Sequence, residues 1–170
     1  KMFNKCSSLE TIPHMNTGSV SAMERMFGDC TNLTNIPLLD TKNVTNMRFM
    51  FNYCTNLKTI PLLDTGNVKD MGSMFGYCSN LEEIPQINIE NLDDMGSMFS
   101  NCSSLKKIPK LNTGNVTNMI GTFQKCTSLE EIPLIDTKNV KSMYVTFSNC
   151  SSLKTIPKLD TSRVSSMSSM

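Results

Sequence analysis

The chain has 170 residues, 16 basic against 15 acidic for a formal net charge of +1, with 39% hydrophobic residues, 18% charged and no tryptophan. So even a charge balance gives no electrostatic reason to expect nucleic acid or an anionic membrane as partner, and no apolar run approaches the roughly 18–20 residues of a membrane span. The length is seven periods of 24 with two residues over, which makes repetition the first property to test.

Phenylalanine recurs every 24 residues from Phe3 to Phe147, cysteine from Cys6 to Cys150, proline from Pro13 to Pro157 and methionine from Met23 to Met167, without a slip of register. The repeat reads M-F-x-x-C-x-x-L-x-x-I-P-x-L-[DN]-T-x-N-V-x-x-M-x-x and is complete over 50–73. This excludes an ordinary enzyme domain and, by its period, a coiled coil. A unit of 24 residues is too short to bury its own apolar positions, so neighbouring units must bury one another's faces: a solenoid whose core is a set of ladders. Counted from Met2, the coils are 2–25, 26–49, 50–73, 74–97, 98–121, 122–145 and 146–169, in a single solenoid domain, 1–170. Lys1 and Met170 fall in phase at either end, which suggests part of a longer array, and any targeting signal is expected to have been removed or to lie outside these residues.

Within one coil, M-F-x-x-C reads as a helical or 3₁₀ turn. L-x-x-I reads as one short parallel strand, closed by the proline that removes a ladder donor in every coil. The Asp/Asn position, followed by Thr in six coils of seven, reads as a turn, since these side chains bond to nearby backbone. A calcium stripe is the alternative, weakened by three neutral asparagines at that position (Asn16, Asn88 and Asn112). V-x-x-M is a second extended piece. The cysteines are odd in number, lack a C-x-x-C pair and would stack about 4.8 Å apart with parallel side-chain vectors, poor geometry for disulfides. They read as reduced, buried, small hydrophobes.

Several residues break the repetition. His14, in the first coil, is the only histidine, and no second histidine, nucleophile elbow or phosphate-binding loop accompanies it. No enzyme, cofactor or metal is expected. Leu38, Leu62 and Leu134 form an apolar stripe after the proline, interrupted by His14, Gln86, Lys110 and Lys158, which the turn could cover. Arg48, Phe49, Tyr53 and Tyr77 lie close in phase on the second to fourth coils and have the composition of interface hot spots. Lys58, Glu82, Lys106, Glu130 and Lys154 alternate in sign along the stack and read as register devices. Over 86–92 the pattern breaks, Ile89 standing for the turn Thr and Leu92 for Val, so a local distortion is expected. Ile120, Tyr144 and Val145 form a second candidate patch. Either patch binds a partner or merely folds over the coil edge. The five Asn-x-Ser/Thr sequons follow from the repeat composition.

The string C-T-N-L-K-T-I-P-L-L-D-T-G-N-V-K-D-M-G-S-M-F, 54–75, resembles the BspA-type leucine-rich repeats of bacterial surface proteins, closest to the branch with D-T-S-N-V-T-x-M and M-F-x-x-C. The match covers all seven coils. The usual L-D-L-S-x-F-D-T stretch is shortened here to I-P-x-L-[DN]-T. The resemblance implies a leucine-rich-repeat solenoid, extracellular or surface-displayed, without catalytic activity, that binds a protein or glycan on another cell or surface; phage-borne proteins carry similar repeats. The competing reading is a structural spacer whose ends stack on other copies. Neither reading calls for nucleic acid or direct membrane insertion.

Overall fold

The computed structural model describes all 170 residues, and its seven coils stack in register. Forty-three buried apolar residues form one continuous core. Adjacent phenylalanine rings from Phe3 to Phe147 stack with centroids 5.6–5.8 Å apart and planes within 1–9° of parallel. Parallel planes at that centroid separation lie within the roughly 4.5–7 Å range of favourable aromatic pairs. The methionines of both phases flank the rings from Met23 to Met143, fully or almost fully buried. Each coil alone would leave these side chains in water; stacking them stabilises by roughly 1.5–3 kcal/mol per large apolar residue.

The backbone pairing differs from the sequence expectation. The chain has no helix, and its β pairing is confined to single parallel bridges. These lie in V-x-x-M, where Ala22, Asn46 and Asp70 pair in series and Asp94, Asn118, Ser142 and Ser166 continue it. The L-x-x-I piece, expected to be the strand, carries one bridge, Glu131 to Thr155, and otherwise single amide bonds such as Glu82 to Lys58 and Lys106 to Glu82. The proline after every Ile explains this, because it ends the run of donors before a second bond can register.

M-F-x-x-C is also not a helix. Turn bonds three residues long run through it, from Met26 to Met23 and from Cys30 to Phe27. Between them the amides of Met23, Arg25, Phe27 and Asp29 donate to the carbonyls of Asn46, Arg48, Met50 and Asn52 on the following coil. Turning alternate amides outward requires left-handed residues. Every positive φ in the chain falls at the Arg25 or the Asp29 phase, all seven coils at each, and only Gly121 among them is glycine. Left-handed geometry costs an L-residue roughly 1–2 kcal/mol, which the inter-coil bonds offset.

Side chains complete the stack. The Asp/Asn position forms a turn in every coil: Oδ1 of Asp40, Asp64 and Asn88 accepts from the amide two residues on, as do its counterparts. The turn reading therefore holds. Lys42, through its side chain and then its amide, holds the Asp40 carboxyl below the usual range. The following Thr is buried and bonds forward: Thr113 Oγ1 donates to the Asp136 carbonyl at 2.8 Å and accepts from the Asp136 amide at 2.7 Å. The Asn before Val bonds backward, Asn67 Nδ2 to the Lys42 carbonyl at 2.7 Å and Asn91 Nδ2 to Gly66 at 2.6 Å.

Coil 4 shows the expected distortion. Ile89 is buried in the threonine ladder without a hydroxyl to offer Asn112. The bridge series is interrupted between Asp70 and Asp94, where two carboxylates follow one another along the ladder and Leu92 replaces the smaller valine. Like charges placed opposite each other weaken pairing.

Candidate functional site

The residues of the first patch form two sets of contacts, one about Phe49 and one between Tyr53 and Tyr77. Phe49, half-buried and left-handed at φ 56°, lies beneath two guanidinium groups, Arg25 at 4.0 Å and Arg48 at 4.9 Å from the ring centroid. Arg48 also reaches Asp70 at 3.5 Å. Cation–π contacts of this kind are worth roughly 0.5–1 kcal/mol at exposed sites. Phe49 thus stiffens the edge of the stack as well as presenting a charged rim, and Arg25 is a member that reading by outward aromatics missed. Its place 24 residues before Phe49 was the available signal.

Tyr53 and Tyr77 stack with centroids 4.2 Å apart and planes 6° from parallel, both about 40% exposed and both at φ 62°. Burial, then the neighbouring Tyr77, raises the Tyr53 phenol above its ordinary value. Beyond Tyr77 the same left-handed row continues as Asn101, Lys125 and Asn149, and beside it runs a row of hydroxyls, Thr55, Ser79, Ser103 and Thr127. Together they enclose a groove of about 500 Å³. Each hydroxyl donates to the carbonyl 24 residues back, Thr55 to Thr31 at 3.2 Å and Ser103 to Ser79 at 3.1 Å. The sequence reading missed this row because serine and threonine after cysteine look like loop filler.

Ile120 and Tyr144 are exposed neighbours on coils 5 and 6, and half-buried Val145 stands in the left-handed phase at φ 51°, which is strained for a β-branched side chain. This patch is separated from the first by Gly72, Ser73, Gly96 and Ser97 at the same two phases, so the two do not form one surface. At Gly72 an added Cβ would meet the Arg48 guanidinium at 3.4 Å. Leu38, Leu62 and Leu134 are 63–68% exposed and are not covered by the turn. They line grooves of about 910 Å³ on coils 1–4, which includes His14, and about 700 Å³ beside Ile89.

Of the alternating charges only Lys154 and Glu130 meet, at 2.7 Å on the open surface. Their mutual hydrogen bond lowers Glu130 and raises Lys154. Exposed pairs contribute little, so register rests on backbone and hydroxyl bonds instead.

The cysteine ladder is buried from Cys30 to Cys126, with Cys150 half-buried and Cys6 exposed. Its thiols are more than apolar filler: each donates to the phenylalanine carbonyl 27 residues back, Cys54 to Phe27 at 3.1 Å and Cys78 to Phe51 at 3.0 Å. Burial pushes Cys78 up to about 12 and raises Cys54, Cys102 and Cys126 as well, so these thiols stay protonated and unreactive.

A family model described as "Mycoplasma protein of unknown function, DUF285" matches residues 1–107 and again 79–170. No curated protein matches the chain. Among solved structures, the leucine-rich-repeat protein of T. pallidum is similar at 23% identity and a TM-score of 0.66, over 89% of this chain and 68% of that one. One from Eubacterium ventriosum is similar at 21% identity and a TM-score of 0.65, over 91% of this chain. The chain spans 39% of the length of that second protein. The likeness is one of fold, and it makes this chain a leucine-rich-repeat solenoid.

Proposed function

The chain belongs to the DUF285 family, and we propose that it is a non-catalytic binding module of BspA type, displayed at a cell surface, that holds a protein or glycan partner against the aromatic edge of coils 2 to 4. The observation that carries this reading is the cluster of Phe49 with Arg25 and Arg48, together with the stacked, exposed Tyr53 and Tyr77 four residues and one coil further on. Buried anchors of Tyr and Arg supply most of the energy in protein interfaces, and stacking holds these rings in place before a partner arrives, which lowers the cost of ordering them.

A non-catalytic role suits the ladder architecture. An enzyme needs one pocket where different reactive groups converge, whereas each coil repeats the groups of the last, and the buried thiols are held in their unreactive form. Surface display rests on the resemblance to BspA-type repeats.

The test is retention of the labelled chain on cultured animal cells and on immobilised extracellular-matrix proteins. The Phe49→Ala/Tyr53→Ala pair should reduce retention about tenfold or more, the scale of a hot-spot loss, while the thermal midpoint stays near that of the parent. Retention unchanged in a folded double variant would sink the proposal.

A further inference from the structure

The groove that begins at the tyrosines differs in chemistry from the arginine-rimmed patch beside it. Apart from Tyr53 and Tyr77 no apolar residue lines it, and Lys125 is its one charged group. An apolar protein anchor finds no pocket there, and a polyanion finds a single cation. Apart from Lys125, what the groove offers is neutral and polar. The Ser103 and Thr127 hydroxyls have committed their protons to the carbonyls of Ser79 and Ser103, so they present lone pairs. The Asn101 and Asn149 amides are anchored through Nδ2 on the Oγ of the preceding serine, at 2.9 and 3.2 Å, which leaves Oδ1 unshared.

The row also steps down. Tyr77 stacks on Tyr53 through one face, and the next residue in the row, Asn101, is much shorter than tyrosine, so the other face of the Tyr77 ring is turned toward coil 5 within the groove. Beyond it, hydroxyl and amide groups recur once per coil, at about the 4.8 Å of strand spacing, comparable to the length one pyranose adds to an extended chain. The volume, about 500 Å³, lies within the range of small-molecule sites.

We infer that this groove binds a neutral, linear glycan, with one pyranose ring seated on the open face of Tyr77 and its hydroxyls donating to the Ser103 and Thr127 row on the following coils. The inference deepens the binding-module reading and rests on it. Sugar hydroxyls supply the donors that the committed serine and threonine hydroxyls no longer offer, and the axial C–H face of a pyranose is the apolar surface that an aromatic ring takes up.

The absence of tryptophan makes the test direct, because tyrosine emission reports on Tyr53, Tyr77 and Tyr144 alone. The full chain carrying Tyr144→Phe is titrated with cellohexaose, laminarihexaose and chitohexaose, followed by fluorescence and calorimetry. At least one probe should bind saturably. Tyr77→Leu should weaken that binding about tenfold, a change of one decade in Kd, Tyr77→Phe should restore it, and Leu134→Ala, in a separate groove, should leave it within about twofold. Rescue by phenylalanine separates loss of the ring from loss of folding. Binding by none of the three at millimolar concentration, or equal binding in Tyr77→Leu, overturns the inference. If retention on cells or matrix proteins persists while no oligosaccharide binds, the glycan inference falls and the binding module stands; if both fail, both fall.

Discussion

Each buried cysteine has two roles that a serine or an alanine could fill only singly. It packs as a small apolar group, and its S–H satisfies a phenylalanine carbonyl of the neighbouring coil, at 3.0 Å for Cys102. The consequence is a pH limit. A thiol raised in the folded state keeps its proton there, while the same thiol in the unfolded chain ionises above 9.0. The unfolded state therefore binds fewer protons at high pH, and stability falls as pH rises through 9. Cys54, Cys78, Cys102 and Cys126 are all held well above that value. One pH unit past the unfolded value, each contributes a loss on the order of 1 kcal/mol. Thermal melts at pH 8 and pH 10 should show a steep drop, reduced in Cys78→Ala relative to its own pH 8 midpoint. A drop of equal size in that variant would show that the thiols are not its source.

At the level of one coil, the hydroxyl of the [DN]-T threonine is the joint between neighbours. Thr113 is 1% exposed and serves both the amide and the carbonyl of Asp136. Thr113→Val keeps shape and removes the hydroxyl, leaving the half-buried amide and carbonyl of Asp136 without that partner, at a cost of roughly 1 kcal/mol. Urea unfolding should show that loss in the midpoint with an unchanged slope; a neutral result would mean that Asp136 finds its partners elsewhere. Much of the coil was legible in the sequence. Phe51, Cys54, Leu57, Val68 and Met71 are all fully buried, as their recurring apolar phases demanded, and the Asp64 turn closes on Gly66. The pairing was not. Leu57 and Ile60 have the β propensity and Asn46 and Asp70 do not, yet the bridges form at the latter pair. Propensity reports side-chain fit to a pleated surface, whereas here proline on one side decides where consecutive donors survive. The left-handed residues were equally hidden. Phe49, Tyr53 and Val145 are unlike the glycine or asparagine such φ values favour, and only the demand of the next coil's carbonyls puts them there. The groove beside Tyr77 went unread for a related reason, since it is made by two phases whose adjacency depends on that turn.

Across the whole molecule, a stack of this kind has the stability of its coils plus that of each junction, and opens first at its weakest junction. The junction of coils 3 and 4 is that place. The bridge series running from Ala22 and resuming at Asp94 is missing there between Asp70 and Asp94. The other face of coil 4 is weakened too, because Ile89 cannot supply to Asn112 what Thr113 supplies to Asp136. Both defects lie within 86–94, and the equivalent stretch of coil 5, 110–118, carries neither. Ile89→Thr, Leu92→Val, Asp93→Thr and Asp94→Asn together give coil 4 the residues of coil 5 at those phases. The change restores a hydroxyl facing Asn112, removes one of two successive carboxylates and lets the bridge to Asp70 close. Two recovered sets of hydrogen bonds at about 1 kcal/mol each, less the apolar burial given up at Ile89 and Leu92, leave a gain of roughly 1 kcal/mol. For a chain of this length that is a rise of about 2–4 °C in the melting midpoint. Hydrogen exchange adds a readout by position: in the parent the amides of Met71 and its neighbours should exchange ahead of those at Met47 and Met119, whose amides donate across intact junctions to Asp70 and Ser142. In the repaired chain Met71 should slow to match them. Equal protection at all three in the parent would show that the stack does not open at coil 4, and that the interrupted bridge is carried without loss by the hydroxyl and phenylalanine ladders around it.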